Sequence, residues 1–389
     1  MPAKLRFLFL TMLASVALAQ AGWCAPKYKV MHSFSGGDDG EMLWGSLLLD
    51  PKGNVYGTTY YGGVNGGGTV FELTPGTGGK WSEKTLWSFN GPDGNAPTAG
   101  LIFDISGNLY GTTGLGGAYA SGAAFKLVPQ GDGTWSESVI YNFDQGPVTP
   151  NTVVMDPSGN LYGGGGGYAY ELSPGTDGWT LTVLHSDVGG ELIRDANGNL
   201  YGTTNHGGDG KCDAGCGTVY KLHPKPDGAW QETILHDFTA GRDGAFPGRG
   251  ALARDKSGNL YGTTEVGGDT GSGVIFRLKP GARGRWQETI LYSIPGGKGG
   301  SGPVGGVVIG PGGILYGTTS AGGSTGCGVV YKLAPGAKDK WKYTVLHSLL
   351  GPDGCNPAAN PILDSKGNLY GTTPAGGAYE VGVAFELTP

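Results

Sequence analysis

A Tyr-Gly step after Val or Leu recurs along this chain at Tyr56, Tyr110, Tyr162, Tyr201, Tyr261, Tyr316 and Tyr370, and Thr-Thr follows at all but Tyr162. The intervals are 54, 52, 39, 60, 55 and 54 residues. A fixed period near 50 marks a propeller or a solenoid. Each unit reads as four short strands. Strand a is an apolar run such as Leu47-Leu48-Leu49, ending in the turn Asp50-Pro51-Lys52-Gly53-Asn54. There Asp can bond the turn backbone and Gly supplies a positive φ. Strand b is Val55 to Thr59, rich in β-formers. A glycine-rich loop leads to strand c, Thr69 to Leu73, which stops at Pro75, and strand d runs from Trp81 to Phe89. No segment sustains a 3.6-residue apolar period, so helices should be rare.

The two ends of the repeat array complement each other. The last unit stops after strand c, at Val383 to Leu387, without a strand d. Tyr28 to Phe34 reads as a strand d, matching Tyr343 to Leu349 nearly position for position. The expected fold is therefore an all-β, seven-bladed β-propeller with four antiparallel strands per blade. The N-terminal strand should complete the last blade and close the ring, protecting edges that would otherwise stay open.

Composition narrows the function classes. The 80 glycines among 389 residues are roughly three times the usual share, yet no Gly-X-Y period makes the chain collagen-like. Aromatic residues at 10 % are too many for a disordered chain. Lys and Arg number 26 against 32 Asp and Glu, for a net charge of −6. With no basic block, nucleic acid is excluded as the main partner. Lys4 and Arg6 ahead of the apolar Phe7 to Leu18 form a signal peptide, residues 1–21, with cleavage after Ala19 or Ala21. Residues 22–27 read as a linker and 28–389 as a single propeller domain. Trp23 before Cys24 argues against a lipid anchor, and no later stretch reaches the ~20 apolar residues of a membrane span. The protein should be secreted or periplasmic, and a monomer.

Several motifs recur in order: Tyr-Gly-Thr-Thr, a Gly-Gly loop, Gly-Thr-Val-Tyr-Lys-Leu (217–222), Trp-Gln-Glu-Thr-Ile-Leu (230–235) and Asp-Gly-x-x-x-Pro (93–97). In these the chain resembles the GloVer tandem repeats of exported bacterial proteins, over residues 28–389. The resemblance implies an exported, propeller-like protein and brings no catalytic residues with it.

Cysteines in an exported protein read first as disulfides. In an antiparallel meander the b-to-c and d-to-a loops share one face. Cys327, just before a strand c, and Cys355, in the following d-to-a loop, are therefore neighbours, and Cys212 and Cys216 share one loop. The expected pairs are 212–216 and 327–355, with Cys24 left over. A metal at Cys212 and Cys216 lacks a second ligand pair.

His32, His185, His236 and His347 occupy one strand-d position that Trp87, Tyr141 and Tyr292 fill in other units, which marks a packing slot. The Asp-Gly pairs at 39–40, 93–94, 243–244 and 353–354 read as turns. Ca²⁺, the one cofactor they could suggest, needs six to eight oxygens, and one carboxylate per loop falls short.

The functional reading is a non-catalytic binding module, with a glycan or protein as partner and loop aromatics such as Tyr60, Tyr61, Tyr119 and Tyr379 as contacts. The rival is a propeller enzyme of the streptogramin-lyase or gluconolactonase type with a metal at the channel mouth, a fold-level analogy. Unit 3 is the shortest, with loops Gly163 to Gly167 and Asp187 to Gly190, so one face should be notched above it. The next unit raises the long loop His206 to Cys216, making His206 and Asp209 the candidate ligand contacts. The last residue of strand a becomes Arg194 and Arg254 in units 4 and 5, where the other units are apolar. These arginines either pair with turn carboxylates or serve a separate anionic site on the opposite face.

Overall fold

The computed structural model describes residues 25–144 and 151–389. The expected signal peptide with its two cleavage sites, and Cys24, lie outside the described residues. Seven antiparallel sheets, each with strand order a-b-c-d, form the blades of a β-propeller. Blade 1 is typical: Leu48–Leu49, Val55–Thr59, Thr69–Pro75 and Trp81–Ser88. Blade 5 gains a short fifth strand, Ala245–Pro247, paired with its strand b. Among the described residues the only helical elements are 3-10 turns of three residues.

The strand Lys27–Ser33 completes blade 7, pairing antiparallel with Val383–Thr388, so that Tyr28 faces Leu387 and Val30 faces Phe385. It begins one residue earlier than the sequence suggests. Tyr28 stacks on His347 of blade 6 at 3.9 Å and donates its hydroxyl to the Asp353 carbonyl at 2.7 Å. The closing strand thus binds the neighbouring blade as well as its own.

Each residue of the Tyr-Gly-Thr-Thr step has a separate task. The Tyr hydroxyl donates to the turn Asp, as from Tyr201 to Asp195 at 3.1 Å. That Asp also accepts from the backbone and side chain of the turn Asn, at 2.9 and 2.8 Å from Asn199. Burial pushes these carboxyls up, but the hydrogen bonds outweigh it and hold Asp104, Asp156, Asp195, Asp255 and Asp364 below the ordinary value. The Gly leaves room for the strand-c aromatic: a Cβ on Gly57 would sit 2.5 Å from the Phe71 ring. The first Thr reaches the following blade, with Thr58, Thr203, Thr263 and Thr372 donating to the carbonyls of Ala99, Gly248, Gly305 and Gly45. The second Thr accepts from the first amide of strand c, as from Thr69 to Thr59 at 3.0 Å.

The core lies between blades. In one cluster Tyr56, Val70, Leu86 and Phe89 of blade 1 pack on Leu101, Leu109, Phe125 and Leu127 of blade 2. Every strand d carries a bulge at the same place, which inserts Leu86, Ile140, Leu184, Leu235, Leu291, Leu346 or, in the closing strand, Met31.

The bulge aims the following residue, the shared His and aromatic slot, at the exit turn. His32, Trp87 and His347 bond the carboxylates of Asp39, Asp93 and Asp353 at 3.0, 3.0 and 2.7 Å. The slot is structural, and polar as well as packed. In blade 3, Gly163 to Gly165 extend strand b, leaving only Gly166 and Gly167, with φ of 60° and 88°, as a two-residue hairpin turn. Both expected disulfides are present, Cys212–Cys216 and Cys327–Cys355.

Candidate functional site at the channel mouth

Each d-to-a loop leads into a strand a of fixed length, so counting back from the end of strand a aligns the seven blades. Three residues before that end stand Ser46, Gly100, Thr152, Glu191, Ala251, Gly306 and Asn360. Small residues predominate there, and Glu191 and Asn360 are the exceptions. Its Oε1 accepts from Thr152 Oγ1 and its Oε2 from the Ala251 amide, both at 2.8 Å, so one carboxyl ties blade 4 to blades 3 and 5. Thr152 in turn accepts from the Gly100 amide at 2.9 Å. Asn360 continues the belt, donating to the Ala251 carbonyl at 3.1 Å and accepting from the Gly306 amide at 2.6 Å. Burial pushes the Glu191 carboxyl up, opposed by its two hydrogen bonds.

Two residues nearer the opening, the equivalent positions hold Trp44, Thr98, Gly189, Arg249, Val304 and Ala358 among the described residues. Two of them are large, Trp44 on blade 1 and Arg249 on blade 5. All six line a cavity of about 1070 Å³ at the channel mouth. Met42, Tyr60 and Tyr61 join Trp44 in an apolar wall on blade 1. The Tyr60 and Tyr61 rings stand perpendicular at 4.3 Å. Asp187, Asn205 and His206 line the side formed by blades 3 and 4, and Ser46, Glu191 and Asn360 also face the space.

The structure does not gather the four candidate residues into one place. His206 lines the cavity, edge-on to Phe246 at 5.9 Å. Asp209 is exposed and outside the lining. Arg194 and Arg254 sit at the ends of their strands a, over the rings of Tyr162 and Tyr201 at 5.8 and 5.9 Å, and Arg254 comes within 4.0 Å of Asp195. Of the loop aromatics, Tyr60 and Tyr61 line the mouth, whereas Tyr119 and Tyr379 are exposed elsewhere. The short loops of blade 3 do border the cavity, through Gly167 and Asp187 to Gly190. Trp44, Arg249, Glu191 and Asn360 were missed by sequence reasoning. Alignment back from strand a would have exposed them as the positions where the repeat stops repeating. Among the described residues, no group of three or more His, Cys, Asp or Glu is arranged to hold a metal ion.

The model of the Gloeobacter/Verrucomicrobia repeat matches residues 20–166, 164–288 and 283–389. The chain belongs to this repeat family. No curated protein sequence matches this Gloeobacter/Verrucomicrobia repeat protein. Among solved structures it is similar to virginiamycin B lyase from Staphylococcus aureus. A catalytically inactive variant of that lyase with quinupristin is 14 % identical, with a TM-score of 0.59 over 94 % of this chain and 99 % of that one. The selenomethionine-substituted lyase is 13 % identical, with a TM-score of 0.57 over 93 % of this chain and 100 % of that one. The extracellular domain of a one component system from B. thetaiotaomicron is 13 % identical, with a TM-score of 0.57 over 92 % of this chain and 40 % of that one. At these identities the likeness establishes the propeller fold of the Gloeobacter/Verrucomicrobia repeat protein and nothing finer.

Proposed function

We propose that this protein is an exported, non-catalytic binding module whose ligand seats in the channel mouth. The observation that carries the reading is the asymmetry of the mouth. Equivalent positions around the ring are mostly small, and Trp44, Arg249 and Glu191 break the pattern within one cavity. Trp44 and Tyr61 keep 39 % and 42 % of their surface exposed there, and beside Met42 and Tyr60 they form a patch rather than isolated exposed side chains. A concave site with an apolar wall and a few convergent polar groups is the usual form of a ligand pocket. Two disulfides are compatible with an oxidising compartment, in keeping with export.

The rival reading is an enzyme of the lyase type with a metal at the mouth, which the likeness to virginiamycin B lyase keeps in view as a matter of fold. Against it, no group of three or more His, Cys, Asp or Glu among the described residues is arranged to hold a metal ion, and the Glu191 oxygens already accept hydrogen bonds from Thr152 and Ala251.

The test is an array of glycans and peptides probed with the wild-type protein and with Trp44→Ala, each hit then incubated with the protein and followed by mass spectrometry. Binding that Trp44→Ala abolishes, with the bound compound recovered intact, is the expected result. Conversion of a hit to product would establish the enzyme reading, and hits indifferent to Trp44→Ala would move the site away from the mouth.

A further inference from the structure

Resting on the reading of the mouth as a ligand site, we propose that its ligand is an acidic oligosaccharide, whose sugar rings stack on Trp44 and Tyr61 and whose carboxylate meets Arg249. The register of the repeat places Trp44 and Arg249 at equivalent positions on blades 1 and 5, with small residues at the described positions between them. The two sides of the mouth therefore offer different chemistry to one occupant.

On blade 1, Trp44 and Tyr61 present exposed aromatic faces, and Tyr60 buttresses Tyr61 edge-on. Such faces suit the C–H surface of a sugar ring, which is flat and apolar on one side while its hydroxyls point to the rim. On blade 5, the Arg249 side chain is exposed, and among the described residues no carboxylate comes within 4.0 Å of it. Glu265 feels its charge from farther away. A guanidinium left without a carboxylate partner matches a ligand carboxylate in the two-pronged geometry that lysine cannot reproduce. Between the two walls, Asn205, Asn360 and Ser46 supply donors and acceptors suited to hydroxyl groups.

The carboxyls of the lining must tolerate an anion. Each Glu191 oxygen accepts a hydrogen bond from a neutral donor of the protein, Thr152 or the Ala251 amide, which lowers its demand for a cation. Its burial also favours the protonated form. Asp187, the exposed carboxylate, belongs to the d-to-a loop after blade 3, and His206 follows on the next loop of the same side. A cavity of about 1070 Å³ stands at the upper end of small-molecule sites, which span about 300–1,000 Å³, and so has room for more than one ring.

The experiment is isothermal titration of the full protein with trigalacturonate and with the neutral galactose trimer of the same linkage, for wild type, Arg249→Gln, Arg249→Lys and Trp44→Ala. Both positions are exposed, and melting curves check that each variant is folded. Wild type should bind the acidic trimer about tenfold or more tightly than the neutral one, an advantage of roughly 1.4 kcal/mol or more. Arg249→Gln should erase that advantage, Arg249→Lys should restore part of it, and Trp44→Ala should remove binding of both trimers. Equal affinity for the two trimers, or an acidic preference untouched by Arg249→Gln, would overturn the acidic class. If Trp44→Ala still removed binding, the mouth itself would stand as the site. Binding of the acidic trimer that survives Trp44→Ala would overturn both readings, and no binding of the acidic trimer would overturn this one alone.

Discussion

His236 Nε2 lies 3.5 Å from Glu288 Oε1 across the seam between blades 4 and 5, and neither atom has a hydrogen-bond partner. Asp243 Oδ2, from the exit turn of blade 4, lies 3.6 Å from the same imidazole nitrogen. Burial, and then the Asp243 charge, push the Glu288 carboxyl up to about 8. Burial also pulls His236 down, against the opposing effects of Asp243 and Asp237. Burial thus favours the neutral form of both groups in the seam.

The pH dependence of stability follows. Folded Glu288 retains a proton that the unfolded chain, with a carboxyl near ~4.3, releases. Its contribution is complete below that value and is lost as pH rises through about 8. Glu288→Gln should raise stability at pH 9 by on the order of 2 kcal/mol, allowing for solvent at the rim, and change little at pH 4.5. Thermal melts across that range check it, and parallel curves for the two proteins would count against the seam. His236 acts in the opposite sense at acid pH, where protonating it costs stability.

Ring closure predicts the effect of truncation. Deleting residues 22–35 would expose the edge of Val383–Thr388 and remove the Tyr28 ring from His347. The truncated protein should associate in light scattering and melt earlier. A deletion mutant that stayed monomeric and equally stable would contradict the closure.

The threonine that links blades offers a built-in contrast. Thr263 Oγ1 donates to the Gly305 carbonyl at 2.9 Å, whereas the equivalent Thr318 Oγ1 is buried without a partner. Thr263→Val should cost about 1–2 kcal/mol and strand a carbonyl, while Thr318→Val should be neutral or stabilising. Denaturant titration distinguishes them, and equal losses would reject the assigned role.

The two disulfides differ in the length of chain they close, a sequence separation of 28 for Cys327 and Cys355 against 4 for Cys212 and Cys216. Chain entropy makes Cys327→Ser plus Cys355→Ser the costlier loss, about 3–4 kcal/mol against about 2 for the other pair. Non-reducing peptide mapping of protein purified without reductant should recover both links. A Cys216–Cys327 link, or four free thiols, would contradict them.

The architecture was legible because its causes repeat. Asp-x-x-Gly-Asn sets a turn by local hydrogen bonds, Tyr-Gly-Thr-Thr sets strand b, and Tyr28 to Phe34 carries the pattern missing after Leu387. The same periodicity put Cys327 and Cys355 on one face. The strand-d bulge was not legible, since one inserted residue such as Leu86 looks like ordinary apolar sequence. Nor was the carboxylate partner of the histidine slot, because His32 and Asp39 read separately as packing and turn residues. The mouth was the hardest to read. Its residues lie in d-to-a loops of unequal length, where Glu191, Trp44 and Arg249 align only when counted back from strand a, whereas the long loop bearing His206 and Asp209 stands out by its length alone.

The central claim is that the broken symmetry at the mouth marks the ligand site, and a crystal soaked with a mixture of acidic and neutral trisaccharides tests it most directly. Sugar density should cross the mouth, with a ring against Trp44 and a second contact at Arg249. Density confined to the face carrying Arg194 and Arg254, or to the outer rim, with the mouth empty, would contradict it.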